Sequence, residues 1–180
     1  MLTTNLVADL IDKVTPSVVS IYGTGGDQAK GTGFIVDKNG TVATCYHVVQ
    51  HSRYVHVEMW DGEKLTAQVV SFDKYTDVAI LKLDLSEYKK QLHTVQFAPH
   101  GETRVGDFCV SLGANLGLTG TANFGIVSAF RRPESVGVPV YTDYLLQTVT
   151  NPILTGYNIL LISHVKGRCS EPWKQWMSSL

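Results

Sequence analysis

From Ser17 onward the sequence breaks into short runs rich in β-branched and aromatic residues, each closed by a turn signal, a rhythm that points to an antiparallel β fold. The runs are Val18–Tyr22, Gly33–Val36, Thr41–Thr44, Val55–Met59, Thr66–Phe72 and Ala79–Leu83. Between them lie the turn signals Gly23–Gly26, Lys38-Asn39-Gly40 and Asp61-Gly62. Six such strands predict a small antiparallel barrel. Composition agrees, because 22 Val and 17 Thr among 180 residues favour pleated strands and 16 Gly supply turns. Ahead of the strands, Leu6, Val7, Leu10, Ile11 and Val14 recur at helical spacing before Pro16. This predicts one amphipathic helix over Asn5–Val14.

Charge excludes some partners. Fifteen Lys plus Arg stand against 16 Asp plus Glu, a formal charge of -1, so no basic surplus attracts nucleic acid. No apolar run reaches the roughly 18 residues that a membrane-spanning helix needs, so no membrane span is expected. Met1–Leu10 lacks the basic and apolar regions of a secretory signal. The three cysteines, Cys45, Cys109 and Cys169, are widely spaced with no Cys-x-x-Cys pair, which suggests neither a disulfide framework nor a zinc ribbon.

Ser86–Gly101 has little periodicity and reads as a linker. A second β series follows, with Phe108–Leu112, a Gly-rich hairpin over Gly113–Gly120, Phe124–Ala129 and Tyr144–Val149. That is about half of another six-stranded barrel. Five segments result: a helical start (1–16), a first barrel (17–85), a linker (86–104), a partial second barrel (105–148) and a tail (149–180). The apolar stretch Ile159–Ile162 in the tail is either a surrogate strand for the open sheet edge or an aggregation hazard.

Chemistry concentrates at Gly31-Thr32-Gly33-Phe34 and Thr44-Cys45-Tyr46-His47-Val48-Val49, followed by Thr76-Asp77-Val78-Ala79-Ile80-Leu81. A His at a strand end and an Asp leading an apolar strand are what a hydrolytic triad needs. The imidazole takes a proton from a nucleophile, and the carboxylate fixes its tautomer and stabilises the imidazolium. Other readings are weaker. His47 and His51 are four apart, but Val48 stands where a zinc-protease helix has its Glu, so no metal site is identified. Gly23–Gly26 lacks the Lys-Ser/Thr of a phosphate loop, and the spacing over Gly113–Gly120 fails as a dinucleotide turn; no cofactor is implied. His56 alternates with apolar neighbours and reads as the solvent side of a strand. Cys45 reads as a buried, inert thiol rather than a nucleophile.

These motifs, with Val14-Thr15-Pro16-Ser17-Val18-Val19, Gly106, Gly113, Gly125-Ile126-Val127-Ser128 and Leu146-Gln147-Thr148, resemble the HtrA (Do-like) branch of the trypsin-like serine proteases, in the family's order over about residues 5–148. The resemblance implies an all-β fold with an N-terminal helix: two perpendicular barrels, the first complete and the second incomplete, with the site in the cleft between them. It implies that His47 is the general base and Asp77 its orienting carboxylate. It also implies unfolded or damaged proteins as substrates and a homo- or hetero-trimer formed through the N-terminal part. Family members occur in the bacterial periplasm, mitochondria and chloroplasts, and no address here selects among them.

The likeness stops at the nucleophile. In the family, the segment matching Leu146-Gln147-Thr148 leads to a Gly-Asn-Ser-Gly-Gly-Pro loop that supplies the serine and the oxyanion-hole amides. Here the chain reads Val149-Thr150-Asn151-Pro152-Ile153-Leu154-Thr155-Gly156, and no Gly-x-Ser-x-Gly occurs in the 180 residues. Ser163, Ser170, Ser178 and Ser179 lack flanking glycines. No nucleophile is identified, the family's PDZ domain has no counterpart, and the break after Thr148 reads as a splice, frameshift or readthrough boundary. Two functions are therefore expected: an HtrA-type serine endopeptidase whose present chain is inactive, or a non-catalytic regulatory protein associating with full-length HtrA-type subunits.

Overall fold

The computed structural model describes residues 4–23, 29–75, 77–97, 104–115, 118–130, 146–148 and 161–164. The Gly23–Gly26 turn beyond Gly23, the nucleophile-loop counterpart from Val149 to Gly156, and Cys169, Ser170, Ser178 and Ser179 lie outside the described residues. Helix α1 (Thr4–Val14) forms where the apolar spacing places it, and a single 3-10 turn over Thr15–Ser17 follows, with Pro16 at its start. Proline is at home there because the first residues of a helix donate no backbone hydrogen bond. Ser17 closes the turn, its hydroxyl donating to the Val14 carbonyl at 2.7 Å.

Six strands then form a closed antiparallel barrel: β1 (Val18–Tyr22), β2 (Ala29–Ile35), β3 (Thr41–Cys45), β4 (Tyr54–Glu58), β5 (Lys64–Asp73) and β6 (Val78–Leu83), ordered β1-β2-β3-β6-β5-β4. The strand alternation explains which sequence patterns are mixed and which are apolar throughout. In β4, Val55 and Val57 enter the core while Tyr54 and His56 face water. In β3 and β6 both faces are buried. Val42 and Leu81 fill the barrel with Val19, Ile21, Ile35 and Val57. Their neighbours Ala43 and Ile80 join Phe34 on the outer wall, under Leu10 and Val14 of α1 and under Val110 and Leu112 from the second half of the chain.

That second half contributes β7 (Phe108–Asn115), β8 (Leu118–Phe130), β9 (Leu146–Thr148) and β10 (Leu161–His164), paired in the order β10-β7-β8-β9. The first barrel is closed, whereas among the described residues the second half forms an open four-stranded sheet. Leu161–His164 does pair along β7, opposite Cys109–Leu112, which gives the apolar tail stretch the surrogate-strand role two residues later than its sequence centre. The 86–97 stretch connects the halves without being loose. Tyr88 and Leu92 are buried against the first core, and Val95 N–H donates to the Ile35 carbonyl at 2.9 Å.

Candidate functional site

The register of β3 against β6 builds the site. Cys45 lies opposite Val78 at the ends of these strands, so His47, two residues beyond Cys45, meets Asp77, one residue before Val78. His47 is not in the strand itself. The chain turns after Cys45 into a one-turn helix α2 (Tyr46–Val49), in which Val48 and Val49 are buried against the barrel core and His47 is exposed. The short apolar segment Val48-Val49 packs into the barrel core from this helix.

Gly31 accommodates that packing. A Cβ placed on Gly31 would sit 2.5 Å from Val48 Cγ2 and 2.9 Å from Cγ1. The glycine of the Gly31-Thr32-Gly33-Phe34 motif thus lets β2 pass close under the helix that carries His47.

Asp77 is held by the backbone as well as by its side chain. Its φ of 56° lies in the left-handed region, which Asp tolerates better than most residues. Tyr46 N–H donates to the Asp77 carbonyl at 3.0 Å, and His47 N–H donates to Asp77 Oδ1 at 2.9 Å. The remaining carboxylate oxygen, Oδ2, lies 2.6 Å from His47 Nδ1. An ionised carboxylate can only accept, so in the neutral imidazole this contact places the proton on Nδ1 and the lone pair on Nε2. Both side chains are about two-fifths exposed, so the pair is open to an incoming group and adds little to stability as an ion pair.

Cys45 packs against the core, as strand alternation along β3 leads one to expect. It is half-buried, wedged between the two core clusters, with its thiol close to the Asp77 carboxylate. Burial pushes this thiol well above its ordinary range, and the nearby Asp77 carboxylate pushes it further, so it is no thiolate nucleophile. The Cys45, His47 and Asp77 ligand atoms all lie within 4.8 Å of one another. Cys109 is more simply inert: burial in the second sheet raises its thiol to about 11. His51 and His56 are exposed and stand apart from the pair.

One flank of the site is aromatic. Tyr46 packs on Phe72 with ring centroids 4.8 Å apart, and Lys74 lies over both rings at 5.8 and 6.0 Å. Phe72 and Tyr75 are more than half exposed. No signal in the sequence placed this flank beside His47, because it comes from the end of β5. Among the residues whose side chains are described, no serine hydroxyl hydrogen-bonds His47.

Residues 31–157 match the family described as "Trypsin-like peptidase domain". The chain belongs to the trypsin-like peptidase family. Within it the chain sits with the HtrA-type members. It is 36% identical over 138 residues to a Chlamydia trachomatis protein named "Probable periplasmic serine endoprotease DegP-like", covering 76% of this chain and 27% of that protein. A Rhizobium meliloti protein of the same name is 40% identical over 118 residues, covering 66% of this chain and 22% of the relative. The chain therefore spans about a quarter of the length of such relatives. A solved structure titled "HtrA-type protease AlgW with decapeptide" superposes with a TM-score of 0.74 at 23% identity, covering 90% of this chain and 56% of that one, a likeness of fold.

Proposed function

We propose that His47 and Asp77 are the general base and orienting carboxylate of an HtrA-type serine endopeptidase site, and that this 180-residue chain is inactive as a peptidase because it supplies no nucleophile. The observation that supports the reading is the 2.6 Å contact from His47 Nδ1 to Asp77 Oδ2, which leaves Nε2 free. In such a site Nε2 takes the proton of a serine hydroxyl as it attacks the scissile carbonyl, and Asp77 stabilises the imidazolium that forms. Nε2 later returns the proton to the leaving amine. Every step after binding needs the serine, and the oxyanion that forms needs the amides of the missing glycine loop. Removing a triad serine costs on the order of 10⁶ in turnover. By family resemblance the substrates are unfolded or damaged proteins. Unfolded casein should therefore survive incubation with the folded chain; cleavage that disappears in His47→Ala would overturn the inactive reading.

A second reading, association with HtrA-type subunits, is favoured by one surface. Phe108 and Phe124 stack with centroids 5.3 Å apart and are 42% and 48% exposed. Phe124 lies opposite Val110 in the β7–β8 pair, so this face continues the one that α1 covers. An assembly through the N-terminal part would bury it. Analytical ultracentrifugation should show a concentration-dependent trimer that Phe108→Asp converts to monomer. A monomer at all concentrations, alone or mixed with an active HtrA-type subunit, contradicts this role.

A further inference from the structure

We propose that Cys45, His47 and Asp77 together bind a thiol-preferring divalent cation, with Zn²⁺ as the physiological representative, and that the bound ion switches off His47 as a base. The donor set is one sulfur, one imidazole nitrogen and one carboxylate oxygen, all within 4.8 Å. Such mixed S/N/O sets suit Zn²⁺, with metal–ligand bonds of about 2.0–2.3 Å.

The three ligands arise from separate places in the sequence but from one corner of the fold. Cys45 ends β3, His47 lies in α2 and Asp77 precedes β6, and the strand register fixes their separation. A tetrahedral ion sets its ligand atoms roughly 3.3–3.6 Å apart. The set therefore reaches coordination distance by side-chain movements of about 1 Å, with the His47–Asp77 contact opening from 2.6 Å. Asp77 can bind through Oδ2 while Oδ1 continues to accept the His47 N–H, so the backbone need not rearrange. The exposed side of His47 and Asp77 gives the ion an entry path and a position for a water ligand.

The charges and protons balance. The Cys45 thiol releases its proton to solvent as the S–metal bond forms, and the His47 proton passes from Nδ1 to Nε2 as Nδ1 takes the metal. Thiolate and carboxylate together neutralise the divalent ion, which matters at a half-buried corner where an unpaired charge is costly. In this state Nε2 carries a proton and has no lone pair, so it cannot accept one from a nucleophile. Ion binding and general-base action thus exclude each other at the same imidazole.

The test uses the full chain under reducing conditions, titrated with Co²⁺ and then Zn²⁺. The expected result is a single equivalent of Co²⁺ with a near-ultraviolet thiolate-to-cobalt band that Zn²⁺ abolishes by displacement. Cys45→Ser should remove the band, whereas Cys109→Ser and His51→Ala should keep it. His47→Ala and Asp77→Asn should each weaken Zn²⁺ binding by more than the roughly 10–100-fold that loss of a ligand's supporting hydrogen bond costs. A band that persists in Cys45→Ser, or Zn²⁺ affinity unchanged in His47→Ala, overturns the site. If Cys45→Ser does not fold, the His47 and Asp77 variants decide, since both side chains are partly exposed. Absence of ion binding with an intact downfield His47 Nδ1 proton in NMR spectra refutes the metal site alone. Absence of that proton in the metal-free chain refutes the base–carboxylate reading instead.

Discussion

Replacing Gly31 with alanine tests whether the packing beneath α2 is what holds His47 against Asp77. The new Cβ would lie 2.5 Å from Val48 Cγ2, 2.9 Å from Cγ1 and 3.3 Å from Val48 Cβ. Carbon atoms rest at about 3.5–4.0 Å, so the two segments must part by about 1 Å. Val48 cannot yield by rotating a long side chain, because its branch point is already close and its χ1 is stiff. The one-turn helix has to move, and His47 moves with it. Overpacking of this kind costs about 1–3 kcal/mol. Val48→Ala alone removes two buried methyl groups, about 1.6 kcal/mol at 0.8 kcal/mol each before any cavity penalty. It also removes both clashing atoms.

The double variant Gly31→Ala/Val48→Ala should therefore be about as stable as Val48→Ala, giving a coupling of about 1–3 kcal/mol that opposes additivity. Urea unfolding measures the stabilities, and the downfield Nδ1 proton of His47 reports the site in the same samples. Gly31→Ala should weaken that resonance and the double variant should restore it. Strict additivity, or an unchanged resonance in Gly31→Ala, would refute the reasoning.

Two further perturbations probe the frame around the site. Phe34 is 1% exposed where the barrel wall meets α1 and β7, so Phe34→Ala should cost about 3–5 kcal/mol and lower Tm by roughly 6–20 °C. A loss no larger than that of Tyr54→Ala on the exposed face of β4 would contradict this placement. At the turn before β3, desolvation pushes the Asp37 carboxyl up, but hydrogen bonds from Thr41 and Asn39 outweigh it and hold the group below the usual carboxylate range. A depressed folded value means that its charge stabilises the fold above the unfolded pKa of about 3.9, with the contribution lost as pH falls through the folded value. The stability gap between the protein and Asp37→Asn should therefore be constant from pH 5 to 7 and close below about pH 4; a gap that persists at pH 2 would contradict it.

The first barrel was legible because its strands are short β-branched runs, alternating in β4 and apolar on both faces in β3 and most of β6, and its turns carry glycine or asparagine. Val18–Tyr22 coincides with β1, and the others differ at their ends, most at β2, which begins at Ala29 rather than Gly33. Those differences have a physical source: strand ends are set by pairing partners, here the Tyr22–Ala29 pair, which local residue preference does not encode. The His47–Asp77 pair was legible from residue type and resemblance, whereas α2 was not. Val48 and Val49 favour strands by propensity, yet they pack into the barrel core from a helix. Strand alternation placed Cys45 inside as an inert thiol, and at the last residue of β3 it packs on both core clusters; what alternation does not show is that it also stands beside Asp77. The 86–97 stretch lacked periodicity because Tyr88 and Leu92 anchor it as isolated plugs rather than as a repeating face.

Labelling with a fluorophosphonate probe tests the central claim most directly, because the reagent reports an activated serine without needing a substrate. The folded 180-residue chain and His47→Ala are treated in parallel, and any adduct is located by mass spectrometry. The account predicts no serine adduct in either protein, while the His47 Nδ1 proton of the untreated chain shows the base–carboxylate pair in place. A serine adduct in the chain that is lost in His47→Ala would show that a nucleophile completes the site, and would contradict the account.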